Sequence, residues 1–367
     1  MNMNSAARGA SICAVCSWDT WHAWWLAGST SERASTEMAV LAVIPARFAS
    51  TRLPGKPLLP VLSGEPMIAH VVRAALAASS VRRVLVATDH AGIAKAAEAA
   101  GAESVMTDSA ISTGTDRVAA ALRLRADASA AADVVVNVQG DEPLVQPAAI
   151  DLAARLLLSN TTADMATLSA PLPSSEALLD PSKVKVVCGP LLAPALSSSD
   201  TGSHETGSHM AEVGACRRAL FFSRAPIGIE RDALHSLLHP SARDGGVRAT
   251  PPPLPCAARL HVGLYAFRPS SLERFVSLPP SPLERVEQLE QMRALEAGMS
   301  ILVGEVDHAS RGIDTIEDVR ELSRLWNEAS VDVRTALLGG SSGGYGHVGG
   351  APRSAVRTDG PCGESDR

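Results

Sequence analysis

Short runs of apolar residues alternate along the chain with segments in which apolar residues recur every three or four positions. The short runs predict strands, the first three at 39–44, 84–87 and 134–138, and the recurring pattern predicts helices at 67–78 and about 92–100. Later strands are predicted at 165–169, 184–187, 219–222, 261–267 and 301–306. This alternation indicates an α/β fold with a doubly wound, mostly parallel, Rossmann-like sheet, whose ligands bind beyond the carboxyl ends of the strands.

Two of these strands have features that fix their expected limits. The first is predicted to stop at Pro45, which has no N–H to give to a sheet. The run 134–138 is apolar except for Asn137, a pattern typical of a strand buried on both faces of a parallel sheet.

One later helix is predicted from its end signals as well as from its periodicity. Ser281 and Glu284 form a capping box, Pro282 occupies the first turn, and Gly298 ends the segment. Glu290 and Gln291 fall off the apolar stripe of this helix, so spacing alone places them in solvent.

Three regions differ in composition from the rest and divide the chain. Residues 1–37 have no steady periodicity and are expected to be a disordered or targeting extension. The main domain is predicted at 38–330, interrupted at about 189–215 by a Ser- and Gly-rich insert that repeats Thr-Gly-Ser-His. Residues 331–367 form a Gly- and Ser-rich tail that has too little apolar surface to order itself.

Charge and cysteine content narrow the class of protein. The formal net charge of −6 offers no basic excess for phosphates along a duplex, so no nucleic-acid partner is expected. Six cysteines, of which only Cys13 and Cys16 are closely spaced and without a second such pair, are typical of a protein with reduced thiols. They predict a cytoplasmic location, with organellar targeting by residues 1–37 left open. Membrane association is expected only through that extension, where Asp19 and His22 interrupt a short apolar stretch.

A basic loop follows the first predicted strand. Three prolines in 44–57 prevent a continuous helix, so Arg47, Arg52 and Lys56 lie on one loop at the carboxyl edge of the sheet. Three cations there repel one another unless an anion lies between them, and guanidinium and ammonium groups suit a nucleoside triphosphate. A solvated basic loop is the alternative explanation.

The whole string Ile44-Pro-Ala-Arg-Phe-Ala-Ser-Thr-Arg-Leu-Pro-Gly-Lys-Pro57 closely resembles the N-terminal signature of CMP-Kdo synthetases, and less closely that of CMP-sialate synthetases. The resemblance continues in order from residue 38 to about 326. Its further landmarks are Ala87-Thr-Asp-His90, Thr113-Gly-Thr-Asp-Arg117, Asn137-Val-Gln-Gly-Asp-Glu-Pro143, Val184-Lys-Val-Val187, Phe222-Ser-Arg-Ala225, His261-Val-Gly-Leu-Tyr265, Ser281-Pro-Leu-Glu284, Glu290-Gln291 and Gly312-Ile-Asp-Thr315.

This resemblance implies a nucleotidyltransferase fold with a smaller acceptor and dimerisation subdomain, and a homodimer. The implied reaction is attack by the acid sugar 3-deoxy-D-manno-octulosonate (Kdo) on the α-phosphorus of CTP, which releases pyrophosphate. Mg²⁺ is the implied cofactor, because such a displacement requires charge neutralisation and alignment.

The resemblance also assigns roles to individual residues. The implied catalytic groups are Arg52, Lys56, Asp141 and Asp314, and the two aspartates are the implied metal ligands. The implied nucleotide-binding residues are Ala46, Arg47, Ser50, Arg52, Lys56, Gly114, Thr115 and Arg117. The implied sugar-binding residues are Gln139, Arg224, His261, Tyr265, Glu290 and Gln291.

Plain structural roles compete with several of these assignments. Asp141 lies in a Gly-Asp-Glu-Pro turn, and Asp314 precedes a helix that Thr315 can cap, although capping and metal binding are compatible. Arg117 could be an exposed arginine at a helix start, and His261 a histidine of the core or of a strand end.

The chain also departs from the family pattern. Ile227-Gly-Ile229 stands where the family commonly has Ile-Pro-Trp, and the insert lengthens a connection that is usually short. The sequence therefore leaves two alternatives open: a cytidylyltransferase for another, sialate-like acid sugar, and a non-catalytic binding module that retains the fold.

Overall fold

The structure is a computed structural model that describes residues 38–50, 52–192, 216–238, 257–331 and 333–334. The chain divides into two units, 1–38 and 39–367, and every element below belongs to the second. The predicted extension (1–37), most of the predicted insert (193–215) and all but the start of the predicted tail lie outside the described residues. None of the helices in the described ranges has the length and apolar composition needed to cross a membrane.

Eleven strands are found within the described ranges. They are β1 (Val40–Ala46), β2 (Pro60–Val61), β3 (Glu65–Pro66), β4 (Val81–Thr88), β5 (Glu103–Met106), β6 (Val134–Asn137), β7 (Met165–Ala170), β8 (Lys185–Leu191), β9 (Cys216–Ser223), β10 (Ala258–Phe267) and β11 (Ile301–Glu305). β2 and β3 pair with each other, and the remaining nine form one sheet in the order β5-β4-β1-β6-β10-β7-β11-β9-β8.

The helices in these ranges connect the strands. They are α1 (Met67–Ala77), α2 (Ala91–Ala99), α3 (Gly114–Leu124), α4 (Ala126–Ala130), α5 (Pro147–Leu158), α6 (Ser175–Leu179), α7 (Arg231–Leu238), α8 (Pro269–Ser277), α9 (Pro282–Glu287), α10 (Gln291–Glu296) and α11 (Ile316–Glu328). A short 3₁₀ turn, Lys56–Leu58, follows the basic loop.

The half of the sheet that carries β1 has apolar cores on both faces. Alternate residues of β1 point to opposite sides: Ile44 belongs to a cluster with α1 and α5, whereas Val43 belongs to a cluster with α3. β5, β4, β1 and β6 are all parallel. The predicted α/β class is therefore confirmed, and the carboxyl ends of β1, β4 and β6 meet at one edge.

The other half shows that the prediction of a mostly parallel sheet is wrong. β10 runs antiparallel to β6, β7 and β8. β9 runs antiparallel to β8 and β11. Among the described strands of this half, β7 and β11 pair in parallel. The pairings also close a ring, β10-β7-β11-β9-β8 and back to β10. An apolar run specifies a strand but not its direction, because the connection decides whether the chain returns beside itself or crosses over.

Two predicted element limits also need correction. β1 continues through Pro45 to Ala46, because its ladder with β6 ends at Val43 and a residue without N–H is tolerated beyond that point. The helix predicted over 282–298 is two helices, α9 and α10, since Gln288 adopts a left-handed conformation with φ of 53°. The capping box of Ser281 with Glu284 is confirmed.

Candidate active site

A polar pocket opens at the carboxyl ends of β1 and β6. It brings together the basic loop, the start of α3, the turn after β6 and the segment before α11. Its lining residues are Pro45, Ala46, Arg47, Ser50, Arg52, Lys56, Pro57, Ser112, Thr113, Gly114, Arg117, Gln139, Gly140, Asp141 and Asp314. Segments far apart in sequence thus meet at the edge where the sequence predicts ligand binding.

The basic loop is held at both ends by backbone contacts. The Gly55 N–H donates to the Phe48 carbonyl at 2.9 Å, and Gly55 has the positive φ of 70° that this closure requires. The Phe48 N–H in turn donates to Asp89 beyond the end of β4, at 2.8 Å. The Phe48 ring stacks on His90, with ring centroids 4.1 Å apart. The loop cations are therefore carried on an anchored backbone.

Lys56 lies between the two aspartates that the resemblance assigns to a metal. Its Nζ is 2.7 Å from Asp141 Oδ2 and 3.2 Å from Asp314 Oδ1, and it also donates to the Ile313 carbonyl at 2.7 Å. Arg52 reaches Asp314 from the solvent side, at 3.4 Å. Two carboxylates separated by more than 170 residues therefore share one cationic group.

The turn after β6 needs glycine for a steric reason. A Cβ added to Gly140 would lie 2.8 Å from the Pro45 carbonyl oxygen, so only glycine lets the ends of β1 and β6 approach this closely. The next residue, Asp141, receives the Ile313 N–H on its carbonyl at 2.9 Å. This backbone contact ties the Asp314 segment to the turn.

The sequence predicts two roles for the segment before α11, helix capping and metal binding, and these involve different residues, Thr315 and Asp314. Thr315 is the N-cap of α11 and forms a capping box with Asp318, in which each side chain accepts from the other's backbone N–H. The Asp314 carboxylate takes no part in that box and faces Lys56 and Arg52. The helix start therefore leaves Asp314 available to the pocket.

A second contact between these segments was not anticipated from the sequence. Ser310 donates a short hydrogen bond to the carboxylate of Glu142, directly after Asp141. Burial raises the pKa of Glu142 to about 7; the Ser310 hydrogen bond opposes this rise, and the charge of Asp141 adds to it. The adjacent acidic residues therefore differ: Asp141 lines the pocket, whereas Glu142 turns inward to Ser310.

On the nucleotide side, the start of α3 lines the pocket with backbone. Thr113 caps the helix by accepting from the Asp116 N–H, and Gly114 lies against Pro45. Arg117 lines the pocket but is not the exposed arginine considered above, since only 2% of it is accessible. Its guanidinium donates to Thr107 Oγ1 at 2.6 Å and to the Ile111 carbonyl at 3.0 Å. Arg117 therefore braces the loop before α3.

Of the six residues that the resemblance assigns to the sugar, Gln139 lines this pocket and the other five do not. The Tyr265 hydroxyl donates to Gln291 Oε1 at 3.0 Å, and Glu290 accepts from Thr115 at 2.6 Å. Gln291 is 2% exposed, so the placement of this side chain in solvent is wrong. The break at Gln288 begins a new helix, which turns these side chains inward.

His261, which the resemblance assigns to the sugar, carries no charge at neutral pH. Its Nε2 lies 2.9 Å from Thr167 Oγ1, and that hydroxyl is within 3.0 Å of two backbone carbonyls. Because the hydroxyl hydrogen goes to one carbonyl, its oxygen accepts from His261 Nε2–H, which leaves Nδ1 as an acceptor. Desolvation by burial lowers the pKa of His261 to about 3.

The Arg224 guanidinium is occupied by protein carbonyls. It donates to the backbone oxygens of Pro181, Glu287 and Gln288 at 2.8–3.3 Å. The Arg224 carbonyl in turn accepts from the buried Lys185. The structure thus places Arg224 as a cross-link between β9 and α9, outside the lining of the pocket.

Three comparisons place this geometry among known proteins. Residues 41–301 match a family model described as cytidylyltransferase. A 3-deoxy-manno-octulosonate cytidylyltransferase of Bdellovibrio bacteriovorus is 40% identical over 289 residues, covering 78% of this chain and 98% of the relative. One of the same name from an Anaeromyxobacter species is 45% identical over 280 residues, covering 76% and 93% respectively.

A solved structure agrees with these relatives. It is of a CMP:2-keto-3-deoxy-manno-octonic acid synthetase complexed with CTP, and it is 32% identical to this chain. The superposition covers 79% of this chain and 99% of that one, with a TM-score of 0.61. The fold, the family model and the sequence relatives therefore indicate one and the same family.

Proposed function

Because the chain belongs to the 3-deoxy-manno-octulosonate cytidylyltransferase family, we propose that it transfers CMP from CTP to Kdo and releases pyrophosphate. The observation that carries the proposal is the pair Asp141 and Asp314 bracketing Lys56, with Arg52 beside them. A non-catalytic module would have no need to gather two carboxylates and two cations from three segments at one pocket.

The residues present fit a divalent cation. The Lys56 ammonium already occupies a cation position between the two carboxylates, at 2.7 and 3.2 Å. No group of three or more His, Cys, Asp or Glu side chains that could hold a metal occurs among the described residues. A two-carboxylate site suits Mg²⁺, which keeps several water or phosphate oxygens in its shell. We assign Asp141 and Asp314 as its protein ligands.

When bound, Mg²⁺ neutralises triphosphate charge and helps to align the leaving group. The anomeric hydroxyl of the sugar attacks the α-phosphorus and loses its proton to solvent. The bond between the α-phosphorus and the bridging oxygen breaks, and pyrophosphate departs with that oxygen. Lys56 and Arg52 lie where they can interact with the triphosphate, and their positive charges stabilise the negative charge that develops on the leaving group. Arg47 and Ser50 line the same pocket and bind the nucleotide from the loop side.

On the acceptor side, we assign sugar recognition to neutral hydrogen-bonding groups. His261 Nδ1 is an acceptor, and burial holds the pKa of Tyr265 well above its usual range, so its phenol remains a donor. Gln139 lines the pocket between Gly114 and the turn after β6. Because the Arg224 guanidinium already donates to three carbonyls, its role is to hold α9 in place rather than to clamp the sugar carboxylate directly.

We further propose that β8, β9, α9 and α10 form the acceptor and dimerisation subdomain and that two copies associate through it. Exposed apolar side chains support this surface: Leu191 and Leu220 lie on the antiparallel pair of β8 and β9, and Val286 on α9 is 81% exposed. Light scattering coupled to size-exclusion chromatography tests the association. A dimer that Val286→Asp dissociates supports it, and a monomeric wild type overturns it.

The activity is tested with purified protein, CTP, Kdo and Mg²⁺. The proposal predicts release of pyrophosphate and formation of CMP-Kdo, identified by mass, and loss of both when Mg²⁺ is chelated. Lys56→Met should abolish turnover with little change in melting temperature, because the lysine side chain is held by site groups rather than by the core. No CMP-Kdo from folded wild-type protein would refute the proposed function.

A further inference from the structure

A series of buried and half-buried polar groups connects the nucleotide side of the pocket with the residues assigned to the acceptor. It begins at Thr115, the second residue of α3, directly after Gly114 of the pocket lining. The Thr115 side chain turns away from the pocket, and the residue is only 1% exposed. Its hydroxyl lies 2.6 Å from Glu290 Oε1. A threonine in the middle of a nucleotide-binding motif therefore makes its contact with a residue of the acceptor side.

The direction of the hydrogen bonds in this chain follows from its donors. Asn137, at the end of β6, donates from Nδ2 to Thr115 Oγ1 at 3.3 Å. Because the Thr115 oxygen is already an acceptor in that contact, its own hydrogen is free to go to Glu290. Glu290 accepts this bond in a desolvated position, where burial raises the pKa of its carboxyl and the Thr115 hydrogen bond opposes that rise.

The same chain continues into the sugar-binding groups. Glu290 is followed by Gln291, whose Oε1 accepts from the Tyr265 hydroxyl at 3.0 Å. Tyr265 is the register partner of Asn137 in the antiparallel pair of β10 and β6. Hydrogen bonds therefore join Asn137 to Thr115, Thr115 to Glu290, and Tyr265 to Gln291, and the backbone between Glu290 and Gln291 connects the two sets. Tyr265 lies beside Asn137 in the sheet. Within the described structure, Asn137 Oδ1 and Gln291 Nε2 are buried without a hydrogen-bond partner.

We propose that Thr115 is a positioning residue that acts through Glu290, coupling the start of the nucleotide-binding helix to the acceptor site. The inference rests on the proposed function. A nucleotide bound against Gly114 fixes the first turn of α3. The Thr115 hydroxyl, held by that turn, fixes the position of the Glu290 carboxylate and of the adjacent Gln291. Thr115 thus affects the KM for Kdo without contacting the sugar, and its hydroxyl does not bind the nucleotide.

Three substitutions at one position test this role. Thr115→Val keeps the shape and removes the hydroxyl, Thr115→Ala removes it without placing a methyl group beside Asn137, and Thr115→Ser keeps it. Losing one buried hydrogen bond to a carboxylate should raise the KM for Kdo about tenfold in the Val and Ala variants, with the KM for CTP changed less than about twofold. Thr115→Ser should restore the wild-type KM for Kdo.

A double-variant cycle separates coupling from local damage. If Thr115 acts through Glu290, adding Thr115→Val to Glu290→Met, which has no oxygen to accept the Thr115 hydrogen, should raise the KM for Kdo much less than it does in the wild-type background. Fully additive effects, an unchanged KM for Kdo in both Val and Ala variants, or a rise confined to the KM for CTP would overturn the inference. Each of these results is read against wild-type turnover, so wild-type protein that makes no CMP-Kdo refutes the proposed function instead.

Discussion

At the scale of single residues, the proposed mechanism requires the negative charge of the Asp141 carboxylate and not only its shape. The carboxylate contacts Lys56 at 2.7 Å and is assigned to the metal. Asp141→Asn keeps the size and removes the charge, so we expect kcat to fall by about a hundredfold or more and Mg²⁺ affinity to weaken. Pyrophosphate release and isothermal titration with Mg²⁺ measure the two effects. Asp307→Asn, at an exposed position later in the chain, serves as the control and should match wild type.

His261 gives a residue-scale prediction about pH. Burial lowers its pKa from 6.5 to about 3, so the unfolded chain takes up a proton below pH 6.5 while the folded protein does not. The free energy of unfolding therefore falls as pH drops from 6.5 toward 3, with His261 contributing up to about 1.4 kcal/mol per pH unit.

Denaturant unfolding at several pH values measures this slope. His261→Asn should flatten it, whereas His308→Asn, at an exposed histidine, should leave it as in wild type. Equal slopes for wild type and His261→Asn would contradict the assignment of His261 as a neutral acceptor in the folded protein.

At the scale of elements, the close approach of the ends of β1 and β6 determines where Asp141, the proposed metal ligand, lies. A Cβ on Gly140 would meet the Pro45 carbonyl at 2.8 Å, so Gly140→Ala must push the two strand ends apart. We expect a loss of about 1–3 kcal/mol in the free energy of unfolding, together with weaker Mg²⁺ binding through the displaced Asp141. Gly263→Ala is the matched control, because its added Cβ has nothing within 4 Å. Equal stability of the two variants would show that the close approach is unimportant.

Elements also show what the sequence could and could not predict. Asp141 was predictable because a continuous apolar strand, β6, ends just before it, and such strands carry ligand groups at their carboxyl edge. The inward position of Gln291 was not, because it depends on the left-handed Gln288, a residue type with no special preference for that conformation. Spacing predicts one continuous helix there, and only the family motif indicated a role in the site.

The local backbone explains why glycine stands at position 228, where the family commonly has proline. Gly228 has a φ of 66°, which proline cannot adopt, and an added Cβ would lie 3.0 Å from the Ala258 N. The chain that follows Arg224 therefore takes a turn of its own beside the start of β10. The sequence showed the substitution, but the conformation that requires glycine depends on contact with a strand about 30 residues later.

At the scale of the whole molecule, the pocket and its supporting strands are contained within residues 39–334. The first of these residues is already tied to the residue before β6: the Ala39 N–H donates to the Asp133 carboxylate at 2.8 Å, and the Asp133 N–H donates to the Ala39 carbonyl at 2.9 Å. Removing residues 1–37 should therefore leave kcat, KM and melting temperature unchanged. A cut after Ala46, which deletes β1, should prevent folding. A folded but inactive 38–367 protein would show that the extension contributes to the site.

The direction of the strands sets the limit of whole-molecule prediction. The parallel order of β4, β1 and β6 follows from helices that cross between apolar runs, and it locates the pocket correctly. The insertion of β10 between β6 and β7 does not follow from any local pattern, because it pairs β10 with strands 90 or more residues earlier in the chain. That insertion places Tyr265 beside Asn137. The positions of the residues assigned to the sugar therefore could not be predicted from the sequence alone.

The claim that the acceptor is Kdo is tested most directly by comparing acceptors under one set of conditions. Pyrophosphate release is measured with saturating CTP and Mg²⁺ while Kdo or a sialate is varied, for wild type and for Asp141→Asn. We predict Mg²⁺-dependent turnover with Kdo, a kcat/KM at least about a hundredfold lower with the sialate because its pocket contacts are mismatched, and no significant turnover by the variant. Turnover with the sialate that equals or exceeds turnover with Kdo would contradict the account.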